Sequence, residues 1–279
     1  DVLSRTIESP LSKALGQQVL IDNRGGAGGS VGGVEVARNG GDGHTFLIAP
    51  STLESVNPLI FARMPFDPQK DLVPVALLAN SHLFLLVRPT LPVNTLKEFL
   101  AYAKAHPGTL SYGSAGNGTT PHLAGELLKQ GAGITATHVA YRGAAPAIQD
   151  VLSDQIDFAF GPATVLSHVK AGKLKLLAVA SRQRSPSAPD APTFVEAGVN
   201  GVFADSLFGI YAPTQTPVEV INRMNREVNK VLAQPDIKAR FLELGAEAAP
   251  RQPAEYKAMV QAETSLFTEI VKSRGITVD

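Results

Sequence analysis

The sequence predicts an α/β protein of two lobes, and three observations carry that expectation. Short β-branched or aromatic runs lead through glycine-rich turns into helical segments at three places, a pattern that puts a ligand site at the carboxyl ends of parallel strands. Two proline-rich stretches, Arg88-Pro89-Thr90-Leu91-Pro92 and Ala212-Pro213-Thr214-Gln215-Thr216-Pro217, interrupt the strand–helix alternation and mark crossings. The chain after the second crossing reads as helical throughout, and helices with no strands of their own must cover a sheet made elsewhere. Residues 1–89 and 213–279 are therefore expected to form one discontinuous α/β lobe and residues 90–212 an inserted one, with the crossings as a hinge.

The elements follow in order. Leu3, Ile7, Leu11 and Leu15 recur at helical spacing up to Gly16, and Val19–Asp22 reads as the first strand. A glycine-rich loop, Gly25–Gly33, opens a second helix through Val34, Val36 and Ala37. Gly40–His44 is a turn, and Thr45–Ala49 is a short buried strand ending at Pro50-Ser51-Thr52. The Ser51 and Thr52 hydroxyls can face a ligand or cap the helical turn that follows. Residues 57–70 read as an irregular connection, and Leu72–Leu78 and Leu83–Val87 as strands.

Past the first crossing, a helix from Thr95 to His106 begins a new series. Its strands are Leu110–Tyr112, Thr137–Ala140, Phe158–Phe160 and Leu174–Ala180, closing on Phe203-Ala204-Asp205 and Phe208–Tyr211. Helices then fill the remainder, carrying Val220, Ile221, Met224, Val228, Val231 and Leu232, then Pro235–Leu244, then Tyr256, Met259 and Val260.

The stretch Tyr112-Gly113-Ser114-Ala115-Gly116-Asn117-Gly118-Thr119-Thr120-Pro121-His122 has the chemistry of an anion cradle. The first turn of a helix leaves N–H groups without partners, and the peptide dipoles put partial positive charge there, so a carboxylate or phosphate is accommodated without a lysine. Thr119 or Thr120 can cap the helix, and Pro121 suits its first turn. The bland alternative is a helix entry that satisfies only its own backbone. His122 can bond a ligand or serve the structure alone. Downstream, Arg142-Gly143-Ala144-Ala145-Pro146 repeats the grammar after the strand Thr137–Ala140. Arg142 can clamp a carboxylate and Asp205 can receive an amine or hydroxyl, and each can equally be one half of a surface ion pair.

Composition narrows the function. Twenty-five Lys and Arg balance 25 Asp and Glu over 279 residues, without basic clusters, which argues against nucleic acid. The longest apolar run, Leu83–Val87, is strand-sized, too short to span a bilayer. No cysteine is present, so thiol chemistry is excluded. No signal peptide is present, and a parallel fold would want a strand and a loop just before Asp1. His44, His82, His106, His122, His138 and His168 are scattered without metal-ligand spacing. The glycines at 113, 116 and 118 do not follow the dinucleotide order, so neither a metal nor a cofactor is expected.

Taken together, the quoted stretches resemble the receptors of tripartite tricarboxylate transporters, often called Bug receptors. The carrying stretches are Asp22–Gly32, Tyr112–Thr119, His122–Leu127, His138–Ala147, Ala171–Leu174, Pro192–Gly198 and Ala212-Pro213. The resemblance implies a two-lobed periplasmic-binding-protein fold of the type II, Venus-flytrap kind. It implies an extracytoplasmic, periplasmic and monomeric receptor, not an enzyme, that binds a small organic carboxylate (a di- or tricarboxylate or an aromatic acid) in an interdomain cleft and delivers it to membrane permease subunits. By position it implies ligand contacts at Ser51 and Thr52, at Ser114, Ala115, Asn117, Gly118 and Thr119, at Tyr141, Arg142, Gly143 and Ala144, and at Asp205. Two departures stand out: the family's first strand and glycine loop are absent before Asp1, and Leu207 stands where relatives place a tryptophan. The pocket is therefore expected to be altered or roomier. A sensor for a signalling partner and an enzyme on the same scaffold remain as alternatives; the enzyme would need a perturbed titratable group in the cleft.

Overall fold

A computed structural model describes residues 1–39 and 41–278, so Gly40 of the expected turn lies outside the described residues. The chain divides into two compact units. Unit 1 holds Asp1–Asn80, Ser206–Val271 and the residues from Thr277 onward; unit 2 holds Ser81–Asp205 and Lys272–Ile276.

Unit 1 opens with α1 (Val2–Leu15), which buries Ile7 and Leu11 and ends on Gly16 at φ 69°, whose N–H reaches Ser12 O. Val19–Asp22, expected as a strand, forms none: its composition suits a sheet, but no neighbouring strand hydrogen-bonds to it, and Leu20 is 76% exposed. Instead the Val19 N–H donates to Ser12 Oγ at 2.9 Å. The glycine loop passes through a single 3-10 turn (Ala27–Gly29) into α2 (Ser30–Arg38). Then come β1 (Leu47–Pro50), α3 (Thr52–Ser55), α4 (Asn57–Ile60) and α5 (Pro68–Asp71). The expected irregular connection thus contains two helical turns, because Pro58 and Pro68 each fit a first helical turn and Asp67 caps the second through the Gln69 N–H. β2 (Leu72–Ser81) is almost wholly buried.

Unit 2 begins with β3 (Phe84–Val87) and α6 (Leu96–Ala105), whose N-terminus is capped by Thr95 Oγ1, which accepts the Glu98 N–H, while the Glu98 carboxylate reaches back to accept the N–H of Asn94, just before the cap. β4 (Ser111–Ser114), α7 (Thr120–Ala132), β5 (Thr137–Ala140), α8 (Ala144–Leu152), β6 (Phe158–Gly161), α9 (Leu166–Lys170) and β7 (Lys175–Val179) follow. Their sheet has the order β5-β4-β6-β3-β7. β4 runs parallel to β5 and β6, whereas β3 is antiparallel to β6 and β7. β3 sits inside the sheet with no exposed residue, which is why its sequence is an unbroken apolar run.

The chain returns to unit 1 in β8 (Ser206–Pro213). Phe203-Ala204-Asp205, read as strand, is extended chain outside either sheet, tied by the Ala204 N–H to Ala180 O. α10 (Val218–Leu232), α11 (Pro235–Glu243), β9 (Glu247–Ala248) and α12 (Pro253–Arg274) complete the chain. The tail is thus not purely helical: β9 closes the four-stranded sheet, of order β1-β8-β2-β9. Ile7, Leu11, Val75, Leu78, Val228, Leu232 and Phe241 share one apolar cluster, so α1, α10 and α11 pack with β2.

Candidate functional site

β4 and β5 pair from Ser111↔Thr137 to Ser114↔Ala140, so they deliver the chain to the same end of the unit 2 sheet. There the Tyr141 N–H donates to Ser114 O at 3.0 Å, joining the two strand–helix junctions into one surface. Gly116 and Gly118 hold φ 127° and 73°, values that L side chains rarely adopt, and they turn the chain into α7. Gly143, at φ 120°, does the same before α8. The first-turn N–H groups of α7 and α8 have no intrahelical acceptors, and the positive ends of both helix dipoles lie at these junctions.

Beneath the first junction lies a buried polar stack. Ser114 Oγ accepts the Gly116 N–H at 3.1 Å and lies 2.7 Å from His138 Nε2. His122 Nδ1 accepts the Gly118 N–H at 3.0 Å, which puts the proton of a neutral ring on Nε2. The His122 and His138 rings stack at 3.9 Å, with Tyr112 against His138 at 4.9 Å and Phe158 beyond at 5.4 Å. The Tyr112 hydroxyl donates to Glu126 Oε1 at 2.7 Å, and Lys129 Nζ meets the same oxygen at 2.6 Å. Arg274 Nε lies 3.6 Å from Glu126 Oε2.

Electrostatics follow from this burial. Desolvation lowers both imidazoles to about 4, His138 adding to the effect on His122, so both rings are neutral at ordinary pH. For Glu126, burial alone would raise the pKa, but hydrogen bonds from Lys129 and Tyr112 outweigh it and hold the carboxylate below its usual range. The junction therefore offers an anion main-chain dipoles over a neutral aromatic floor.

The expected residues are distributed as follows. Thr119 sits at the N-cap position of α7, but its hydroxyl turns back to Gly116 O at 2.7 Å, so capping by Thr119 does not occur. Ala115, Gly143 and Ala144 are half-buried, while Asn117 and Arg142 are exposed. The Tyr141 hydroxyl donates to Asp150 Oδ2 at 2.6 Å, and burial first, then Asp150, pushes it up to about 12. Asp205 is bound on both oxygens, by His82 Nδ1 at 2.7 Å and by Ser181 Oγ at 3.0 Å. Phe84 pairs with both Gly161 and Val179, so His82 and Ser181, just beyond these strand ends, lie at the same end of the sheet as the junctions.

Ser51 and Thr52 belong to unit 1, at the exit of β1. The Ser51 N–H donates to Leu207 O at 2.9 Å, but its hydroxyl caps nothing and is buried without a partner. Near it, burial raises Glu54 to about 7, the Lys257 charge opposing the shift, and one Glu54 oxygen is likewise buried and unpartnered. The Tyr211 and Tyr256 hydroxyls bond each other at 2.5 Å, and Ser55 Oγ donates to Glu263 Oε2 at 2.8 Å.

Sequence reasoning passed over His138, Glu126, His82 and Ser181. His138 lay inside a quoted motif, but its stacking partner is 16 residues away, and Glu126 has Lys129 one turn on in α7 while its bond to Tyr112 of β4 has no local sign in the sequence. Among the described residues, no cluster of three or more His, Cys, Asp or Glu could hold a metal. No described helix is long and apolar enough to cross a membrane.

The sequence pattern of the tripartite tricarboxylate transporter family receptor matches residues 3–276. The chain belongs to that family. Solved relatives agree in fold across the whole chain. A Rhodopseudomonas palustris protein solved with adipate superposes with a TM-score of 0.89 at 33% identity, covering 99% of this chain and 93% of its own. MatC from the same organism, solved with bound malate, gives 0.84 at 31% over 97% and 94%. The periplasmic binding protein BugD gives 0.84 at 29% over 99% and 93%. The α/β periplasmic-binding-protein fold expected from sequence is thus the fold these relatives share.

Proposed function

We propose that this family member is an extracytoplasmic receptor that binds a small organic carboxylate and passes it, without turnover, to membrane permease subunits. The observation that carries the reading is the pairing of β4 with β5, which sets two glycine turns and two helix N-termini side by side at one end of a sheet. Adipate and malate, the ligands of two relatives, are both dicarboxylates. The amides at the entries of α7 and α8, Ala115 and Arg142–Ala144 among them, are the proposed carboxylate donors, with Arg142 as the nearby cation, because the Gly116, Gly118 and Thr119 N–H groups are already bonded within their own loop. Within unit 1, taken by itself, Ser51 Oγ is buried without a partner and is proposed as a hydrogen-bonding group for a ligand.

The non-enzymatic reading is supported by the engagement of the ionisable groups at this end of the sheet. His122, Glu126 and Asp205 each bond protein groups, and neither imidazole of the stack titrates near neutrality. The proposed periplasmic location is supported by the family's BugD, a periplasmic binding protein, and a monomeric state is proposed with it. Calorimetric titration with adipate, malate, citrate and benzoate tests the proposal. Micromolar or tighter binding of at least one acid, with the acid recovered unchanged, is expected. Silence across all four, or conversion of the bound acid, would overturn it.

A further inference from the structure

Away from these junctions, unit 1 carries a hollow that the proposed function does not use. Helix α2 has two apolar faces. The inner one is closed: a Cβ at Gly33 would lie 2.4 Å from the Phe66 ring and one at Gly32 would lie 3.2 Å from Leu47 Cδ1, while Val36 is buried. On the outer face, Val31 and Val34, three residues apart, meet Phe61 and Met64 of the segment between α4 and α5 around a cavity of about 480 Å³. Val31 is 48% exposed there, although nothing in the helix itself requires a branched apolar residue facing water.

The charges around the hollow are uneven. Arg38 and Arg63 line it with a single carboxylate, Glu35, one turn before Arg38 on α2, and among the described residues neither arginine forms an ion pair with an acid. An apolar floor with two uncommitted guanidinium groups matches an amphiphilic anion: the head takes charge-assisted hydrogen bonds while the tail leaves water. The volume lies within the range of small-molecule pockets. We infer that this hollow is a second binding site, for a free medium-chain monocarboxylate whose chain lies on Val31, Val34, Phe61 and Met64 and whose head pairs with Arg38 or Arg63.

The test is titration of the full chain with octanoate, followed by NMR shifts of the α2 amides, alongside a separate adipate titration. Saturable shifts confined to α2 and residues 61–65 are expected. Affinity should fall about tenfold or more in the Arg38→Gln/Arg63→Gln variant, the scale of losing a charge-assisted contact. Adipate binding should be unchanged in that variant, which also shows that it folds. If octanoate shifts the 115–119 and 141–144 amides instead, or binds the double variant as well as the parent, the second site is refuted. Absence of octanoate binding refutes this site alone where the parent binds adipate, malate, citrate or benzoate, whereas failure of the parent to bind any of the four bears on the proposed function. Sedimentation of the chain with anionic phosphatidylglycerol vesicles, without binding of free octanoate, would assign the hollow to a membrane surface and overturn the inference.

Discussion

The His122 and His138 rings lie 3.9 Å apart with their planes within 10° of each other, one carried by the first turn of α7 and the other by β5. The stack fastens together the elements whose junctions form the proposed carboxylate site, and its cost is paid in protonation. Both rings have folded pKa values of about 4, below the ordinary 6.5, because burial disfavours the charged form. Between pH 6.5 and 4 the unfolded chain therefore binds protons that the folded chain refuses, and stability falls as pH drops through that window. The urea midpoint is expected to decline from pH 7 to pH 5, with neither imidazole titrating by NMR above pH 5. A titration of either ring near 6.5 would contradict the stack.

Glu54 acts with the opposite sign. Burial raises its folded pKa from 4.5 to about 7, so the folded chain holds a proton that the unfolded chain releases. Stability from this group is complete below about pH 4.5 and is lost as pH rises through 7. The charges and polar groups around it are Lys257, Tyr211, Tyr256 and Glu263. Glu54→Gln should therefore raise the urea midpoint at pH 8 and leave it nearly unchanged at pH 4. An equal effect at both pH values would show that the Glu54 carboxyl is not desolvated.

The strands that could be read from sequence were those that carry a local β-branched, aromatic or apolar signal and also find a partner in a sheet. Thr137–Ala140 is found where it was expected, and β3 lies buried between β6 and β7, where a run with nothing polar such as Leu83–Val87 belongs. Val19–Asp22 has the same local character, but a strand exists only where another chain supplies hydrogen bonds, and local sequence does not report that. Glycine turns were legible for a physical reason: Gly116, Gly118 and Gly143 occupy backbone conformations that other residues rarely adopt. Pairings such as Tyr112 with Glu126, or His82 with Asp205, were not legible, because nothing in residue type or spacing connects groups brought together by the sheet.

Gly143 separates conformation from space. A Cβ there would meet nothing nearer than Pro146 Cδ at 4.0 Å, so Gly143→Ala introduces no clash, only a strained φ of 120°. The relief is to rotate the peptide, which turns the α8 entry amides. The variant should lose about 1–2 kcal/mol of stability or less, while carboxylate affinity by calorimetry falls about tenfold or more, the scale of a misaligned charged hydrogen bond. Unchanged affinity would remove these amides from the site.

Gly125 tests packing in α7. Its Cβ would fall 2.2 Å from Tyr112 Cε2, and that ring is held by its bond to Glu126 and by contacts with His138 and Phe158 on the sheet side. A ring tied at its hydroxyl and packed on its face has little freedom to withdraw. Gly125→Ala is expected to cost about 2–3 kcal/mol by urea unfolding, in the upper range for overpacking, and to weaken ligand binding through the displaced helix.

Asp205 links three segments that are far apart in sequence: His82 follows β2, Ser181 follows β7, and Asp205 itself precedes β8. With an acceptor oxygen committed to each partner, its first duty is to hold these segments together. Asp205→Asn turns one acceptor into a donor facing His82 Nδ1 or Ser181 Oγ. The expected loss is about 1–3 kcal/mol of unfolding free energy, the scale for a hydrogen bond to a charged group. Ser181→Ala should cost less, and the double variant should fall short of the sum because the two share one bond. If Asp205→Asn instead left the unfolding midpoint unchanged and abolished carboxylate binding, Asp205 would be a ligand contact and the clamp would be incidental.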